Sequence, residues 1–155
     1  MDAGDRAETW IAQVRARHAG IARAAAAWPR RPRVYFEEWD EPMISAIRWV
    51  SELVAVAGGT DVFPERAAKS LGRDRVIADA QDVIRAAPDL IVGSWCGKKF
   101  RPERVAARDG WSTVPAVRDG ALHEIKSADI LQPGPAALTD GVAQLHALFA
   151  RWARR

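Results

Sequence analysis

Cysteine is nearly missing from this chain, with Cys96 its single thiol. One thiol excludes an internal disulfide and any zinc site built on cysteines. The three histidines, His18, His123 and His146, stand too far apart for a ligand spacing. No metal site and no cofactor is therefore expected. Long apolar runs are missing as well: nothing approaches the roughly 18 apolar residues of a membrane-spanning helix. The amino-terminal Met1-Asp2-Ala3-Gly4-Asp5 is acidic where a secretory leader is basic. The chain as written is thus expected to stay out of the bilayer and to carry no address out of the cytoplasm. A periplasmic or cell-surface location would require a longer, exported precursor.

The usual catalytic signatures are absent too. There is no G-x-G-x-x-G after the first strand, no Walker A lysine and no G-x-S-x-G elbow, which removes the marks of dinucleotide binding, phosphoryl transfer and α/β-hydrolase chemistry. Cys96 as a nucleophile would need a base, and His123 reads as a satisfied mid-strand histidine, so no enzyme is expected. Charge of one sign is also scarce. Twenty-three Lys and Arg against twenty Asp and Glu leave +3, gathered partly at Arg30-Arg31-Pro32-Arg33 and at the carboxyl end. No helix face or ribbon collects the positive charge, so nucleic acid is not an expected partner.

What is present is a chain organised around Pro88-Asp89-Leu90-Ile91-Val92-Gly93-Ser94-Trp95-Cys96-Gly97-Lys98-Lys99. The apolar run is too short and too β-rich for a helix, Pro88 stops whatever precedes it, and Gly93 lets the chain turn on leaving the sheet. The segment 89–94 reads as the central strand of an α/β sheet. In open sheets of that class ligands bind outside the carboxyl ends of the strands. The rim carrying Trp95, Cys96, Lys98 and Lys99 is therefore the expected site; the blander reading is a solvated loop whose Trp95 covers a neighbour.

Around that strand, 6–28 reads as one long helix capped by Asp5 and Glu8, with Ile11, Val14, Ile21, Ala25 and Trp28 on a single stripe. A narrow stripe on so long a helix suits a strut lying across something larger, although an ordinary amphipathic helix fits it equally. Residues 33–37 form a first strand, with Glu38 and Trp39 in the polar loop at its carboxyl end, and 44–57 a helix closed by Gly58-Gly59. A short edge strand at 75–77, a short helix from Asp79 to Ala87 and another over 101–107 follow. Asp119-Gly120 turns into a third strand, 121–126, whose rim loop begins at Ser127, and 136–153 is a closing helix. Strands alternating with helices predict an α/β fold, a three-layer αβα lobe with a mostly parallel sheet preceded by one long helix.

Three segments carry a resemblance: Arg33-Val-Tyr-Phe-Glu-Glu-Trp-Asp-Glu-Pro-Met-Ile-Ser, the helix Arg48-Trp-Val-Ser-Glu-Leu with Ala57-Gly-Gly-Thr-Asp-Val-Phe after it, and Ala87-Pro-Asp-Leu-Ile-Val-Gly-Ser-Trp-Cys-Gly. Over about residues 5–150 the chain resembles the carboxyl lobe of cobalamin-binding proteins of the iron/B12 periplasmic-binding family. The resemblance implies the substrate-binding component of an ABC importer: two α/β lobes joined by one long helix, with cobalamin, haem or a siderophore held between them. On that reading 1–31 is the linking helix, 32–155 is the carboxyl lobe, and the amino-terminal lobe is absent. The family's permease-docking glutamate falls in the short helix before the central strand, where this chain has Gln81 between Asp79 and Asp82.

Two functions follow as expectations. In the first, Glu38, Trp39, Trp95, Cys96, Lys98, Lys99 and Ser127 present a binding rim to a corrinoid or related metal chelate, bound as ligand and not as cofactor, with an ABC permease as a further partner. In the second, the chain is an interaction or scaffold domain that pairs with a separately supplied amino-terminal lobe or another partner chain.

Overall fold

The computed structural model describes residues 2–155. It opens with helix α1, Ala3–Ala26. The helix starts earlier than the Asp5–Glu8 spacing suggests because Asp2 takes the cap: its carboxylate accepts from the Ala3 amide, and Asp5 at the third helical position accepts back from the Asp2 amide. The stripe is used unevenly. Val14, Ile21, Ala25 and Trp28 pack on the rest of the molecule, while residues 2–13 are exposed, Trp10 and Ile11 among them. Trp28 stacks on His146 at 5.1 Å between ring centroids and rests against Gly58, whose φ of 99° and lack of a Cβ permit that approach. The first turns of α1 are thus exposed, while its carboxyl half grips the lobe.

The lobe is built on one sheet. Strand β1, Arg33–Asp40, runs parallel to β4, Leu90–Gly93, which in turn runs parallel to β5, Leu122–Glu124. On the other side of β1 lie the short parallel β3, Thr60–Asp61, and the antiparallel β2, Met43–Ser45. The antiparallel return corrects the expected polar loop at 38–42: β1 continues to Asp40, turns through Glu41 and Pro42, and comes back as β2. Consequently helix α2, Arg48–Val56, begins four residues later than Ile44. The expected edge strand at 75–77 reduces to one bridge, Val76 to Ile44, beside a 3-10 turn at Gly72–Arg75.

Helices close both faces. Strand alternation sends Val34 and Phe36 to one side with Leu90 and Val92, where α2 and the closing helix α8, Val142–Ala153, cover them. Tyr35 and Ile91 point to the other side, into a second core with Phe63, Trp95, Phe100 and Trp111. That face is closed by α3, Pro64–Ala67, α4, Gln81–Ala86, α5, Pro102–Ala106, and α6, Pro115–Arg118. The result is the expected αβα lobe. A π-helical turn, Ala137–Gly141, leads into α8, and the stretch expected as the rim loop after β5 instead starts with helix α7, Ser127–Ile130. Among the described residues no helix is long and apolar enough to cross a membrane.

Candidate functional site

Beneath the carboxyl edge of β1 lies a fully buried carboxylate, Glu37. It sits on the same face as Tyr35, and a buried charge there persists only when paired and hydrogen-bonded. Arg108 supplies a two-pronged guanidinium, at 2.6 Å to Oε2 and 3.0 Å to Oε1. The Tyr35 hydroxyl donates to Oε2 at 2.9 Å and the Trp95 indole donates to Oε1 at 3.0 Å. Burial, then the adjacent Glu37 charge, pushes the Tyr35 phenol well above its ordinary value. Burial opposes the charge of Arg108, but the hydrogen bonds and charge of Glu37 outweigh it and raise the guanidinium further. What the cluster does is fix Trp95.

Trp95 is accordingly a floor rather than a projecting ring, only 3% exposed, with Phe100 edge-on at 5.0 Å. Close packing continues under it, since Phe100 lies against Gly93 where any Cβ would collide. Trp39 lies at the end of β1 opposite Ile44, half-buried, its indole donating to the Glu41 carbonyl at 2.8 Å. Trp39 and Trp95 are joined by Lys98, whose ammonium stands 4.2 Å from the first ring's centroid and 5.2 Å from the second's. Such contacts are worth about 0.5–1 kcal/mol at exposed sites.

Lys98 also pairs with the nearly buried Asp40, and Arg104 approaches the other Asp40 oxygen at 3.5 Å. Burial alone would raise the Asp40 carboxyl, but pairing with Lys98, its own amide and the charge of Arg104 outweigh burial and hold it below the usual carboxylate range.

The remaining expected residues are distributed as follows. Glu38 turns away from the rim onto buried Arg75, whose Nη1 and Nη2 both donate to its carboxylate. Cys96 is a free, exposed thiol. Lys98, Lys99 and Ser127 meet at a cleft of about 480 Å³ between the carboxyl ends of β4 and β5, floored by Trp95. Lys126 and Glu124 border the same cleft, and the Phe100 amide donates to Glu124 at 3.0 Å. Both fall within the expected third strand, 121–126, and were not expected at the rim; the observed strand ends at Glu124, which brings Lys126 to its carboxyl end. Asp79, Gln81 and Asp82 stand at the start of α4, where Arg85 bridges the two aspartates and Arg66 takes the second oxygen of Asp82. His123 is half-buried on β5; burial, followed by the charges of Arg151 and Arg155, lowers its pKa. Among the described residues no cluster of His, Cys, Asp and Glu could hold a metal ion.

A parallel αβα lobe with a charged, aromatic-floored cleft at its strand ends has the form of a ligand-binding domain. The chain belongs to a family of that kind, described as Periplasmic binding protein, which it matches over residues 1–128. Its fold is similar to that of the periplasmic vitamin B12 binding protein BtuF of Vibrio cholerae, at 19% identity and TM-score 0.64, covering 91% of this chain and 52% of that one. It is also similar to the heme complex of Staphylococcus aureus IsdE, at 19% identity and TM-score 0.66, covering 85% and 52%. A third similar fold is the heme-binding protein RhuT of Roseiflexus, at 23% identity and TM-score 0.70, covering 93% and 57%. The chain thus spans about half the length of the structures it matches. No curated protein matches the sequence.

Proposed function

We propose that this chain is one lobe, with its linking helix, of the substrate-binding component of an ABC importer, and that the rim at the carboxyl ends of β1, β4 and β5 takes up cobalamin or a related metal chelate. The observation that carries the reading is the cleft floored by Trp95 and bordered by Lys98, Lys99 and Ser127, at the strand edge where open α/β sheets bind ligands. Its volume falls within the 300–1,000 Å³ typical of small-molecule sites. Trp39, 4.2 Å from the Lys98 ammonium, and Cys96, next to Trp95 in the chain, complete the proposed rim; Asp79, Gln81 and Asp82 are the permease-docking candidates, and residues 1–31 and 32–155 are the linking helix and the lobe. The activity is binding, with no chemical step.

One lobe leaves much of a ligand wet, so the affinity expected is no better than about micromolar, roughly 8 kcal/mol. Titration of cyanocobalamin and of haemin against tryptophan fluorescence tests this. Saturable quenching at micromolar ligand supports the reading; no saturation at millimolar ligand sinks it.

A second reading draws on the exposed half of α1. Trp10 and Ile11 stand uncovered beside an apolar groove of about 360 Å³ formed with Trp49, Pro135 and Leu138. Apolar surface of this kind favours a partner such as a separately supplied amino-terminal lobe. Sedimentation of the chain with and without Trp10→Glu and Ile11→Lys distinguishes it, because only a partnered surface changes assembly.

A further inference from the structure

We infer that the rim selects metal chelates by the negative charge on their edge, favouring carboxylate-bearing ligands over amide-rimmed ones, with Lys99 and Lys126 as the selecting residues. The inference rests on the function proposed above and narrows its ligand class.

The aromatic route to a flat macrocycle is already occupied within the chain. Lys98 lies over the faces of both Trp39 and Trp95 while Asp40 holds its ammonium, and Phe100 closes on Trp95 from another side. A macrocycle that stacked on these rings would have to displace Lys98 and leave the nearly buried Asp40 carboxylate with only Arg104 at 3.5 Å. Losing the partner of a buried charge costs more than one exposed ring contact returns.

The cleft beside the rings offers the opposite chemistry. Lys98, Lys99 and Lys126 border it against one carboxylate, Glu124, whose Oε1 accepts from the Phe100 amide. With Lys98 engaged by Asp40, the two other lysines form no ion pair among the described residues and are exposed. They are point charges with rotatable donors, and no arginine borders the cleft to impose a planar two-pronged geometry. That combination suits peripheral carboxylates of varied placement, such as the propionates of a porphyrin or the acid arms of an iron chelate. It offers little to a neutral rim of amides.

The test uses two probes with one macrocycle: cyanocobalamin, and its monocarboxylic acid made by hydrolysing a single peripheral amide, with haemin as a third ligand. One charge-assisted contact corresponds to about a tenfold difference in affinity. The acid is expected to bind about tenfold more tightly than cyanocobalamin at low salt, and haemin at least as tightly as the acid. Both advantages are expected to vanish in the double variant Lys99→Ala/Lys126→Ala and to shrink in high salt. Circular dichroism and a melting curve check that the double variant is folded, and Lys99→Arg/Lys126→Arg is expected to restore the preference. Equal affinities for the amide and the acid overturn this inference and leave the proposed function standing. So does an advantage that survives loss of both lysines but falls in Trp39→Ala. Failure of all three ligands to bind overturns the proposed function and this inference with it.

Discussion

Two parts of the same strand edge, a few residues apart, are built on opposite terms. Under the rim, Glu37 has every contact filled, by Arg108, Tyr35 and Trp95, and is fully buried. At the rim, Lys99 and Lys126 border an open cleft and are exposed. The difference separates two jobs. The inner cluster holds the floor in one position, because a buried charge with satisfied partners tolerates no alternative arrangement. The outer lysines are left to meet something the chain does not itself supply. Lys98 belongs to both, tied inward to Asp40 and facing the cleft.

The comparison breaks most visibly at Arg108. Arg108→Ala leaves Glu37 charged and buried without its main partner, and removing one member of a buried pair costs about 3–5 kcal/mol. Urea denaturation monitored by tryptophan fluorescence is expected to show a loss of that size; a loss below about 1 kcal/mol would mean that Glu37 is not confined as described. Trp95→Phe keeps an aromatic ring but removes the indole donor together with the five-membered ring that carries it. It is expected to cost at least about 1 kcal/mol, and a double-mutant cycle with Glu37→Gln is expected to show the coupling between the indole donor and the carboxylate.

Asp40 sharpens the comparison through pH. Its folded pKa lies below the unfolded value of about 3.9, so its ion pairing contributes stability that is fully present above that pH. The contribution disappears as pH falls through the lower folded value. The stability gap between the native chain and Asp40→Asn is therefore expected to be constant near neutrality and to close below about pH 4, read from denaturation curves across that range. A gap that widens on acidification would reverse the assignment. The smallest effect is expected at the cleft: Lys99→Ala/Lys126→Ala changes stability by no more than about 0.5 kcal/mol, as exposed residues without fixed partners do.

Most of the frame was legible because it rests on local patterns. Leu90-Ile91-Val92 between Pro88 and Gly93 leaves little choice but a buried strand, and the stripe through Val14, Ile21 and Ala25 marks the gripping face of α1. The antiparallel return at β2 was hidden because Ile44 and Ile47 also fit a helical period, and only pairing with β1 decides between them. The role of Glu37 was hidden for a different reason. Its place two residues after Tyr35 puts it on an inward face and so demands a cation, yet nothing local picks Arg108 out of twenty-three Lys and Arg. Trp95 follows the central strand as expected, while its burial depends on Phe100 and on Glu37, fifty-eight residues earlier in the chain.

The most direct test of a ligand rim at the strand ends is amide chemical-shift mapping of the nitrogen-15-labelled chain during titration with haemin or cyanocobalamin, the paramagnetic probe being replaced by its zinc or gallium porphyrin where broadening intervenes. The expected result is a saturable set of shifts confined to residues 95–99 and 124–128, with Trp39 at its border and the amides around Trp10 and Leu138 unmoved. Shifts centred on the groove beside α1, or none at ligand concentrations up to millimolar, would contradict the account.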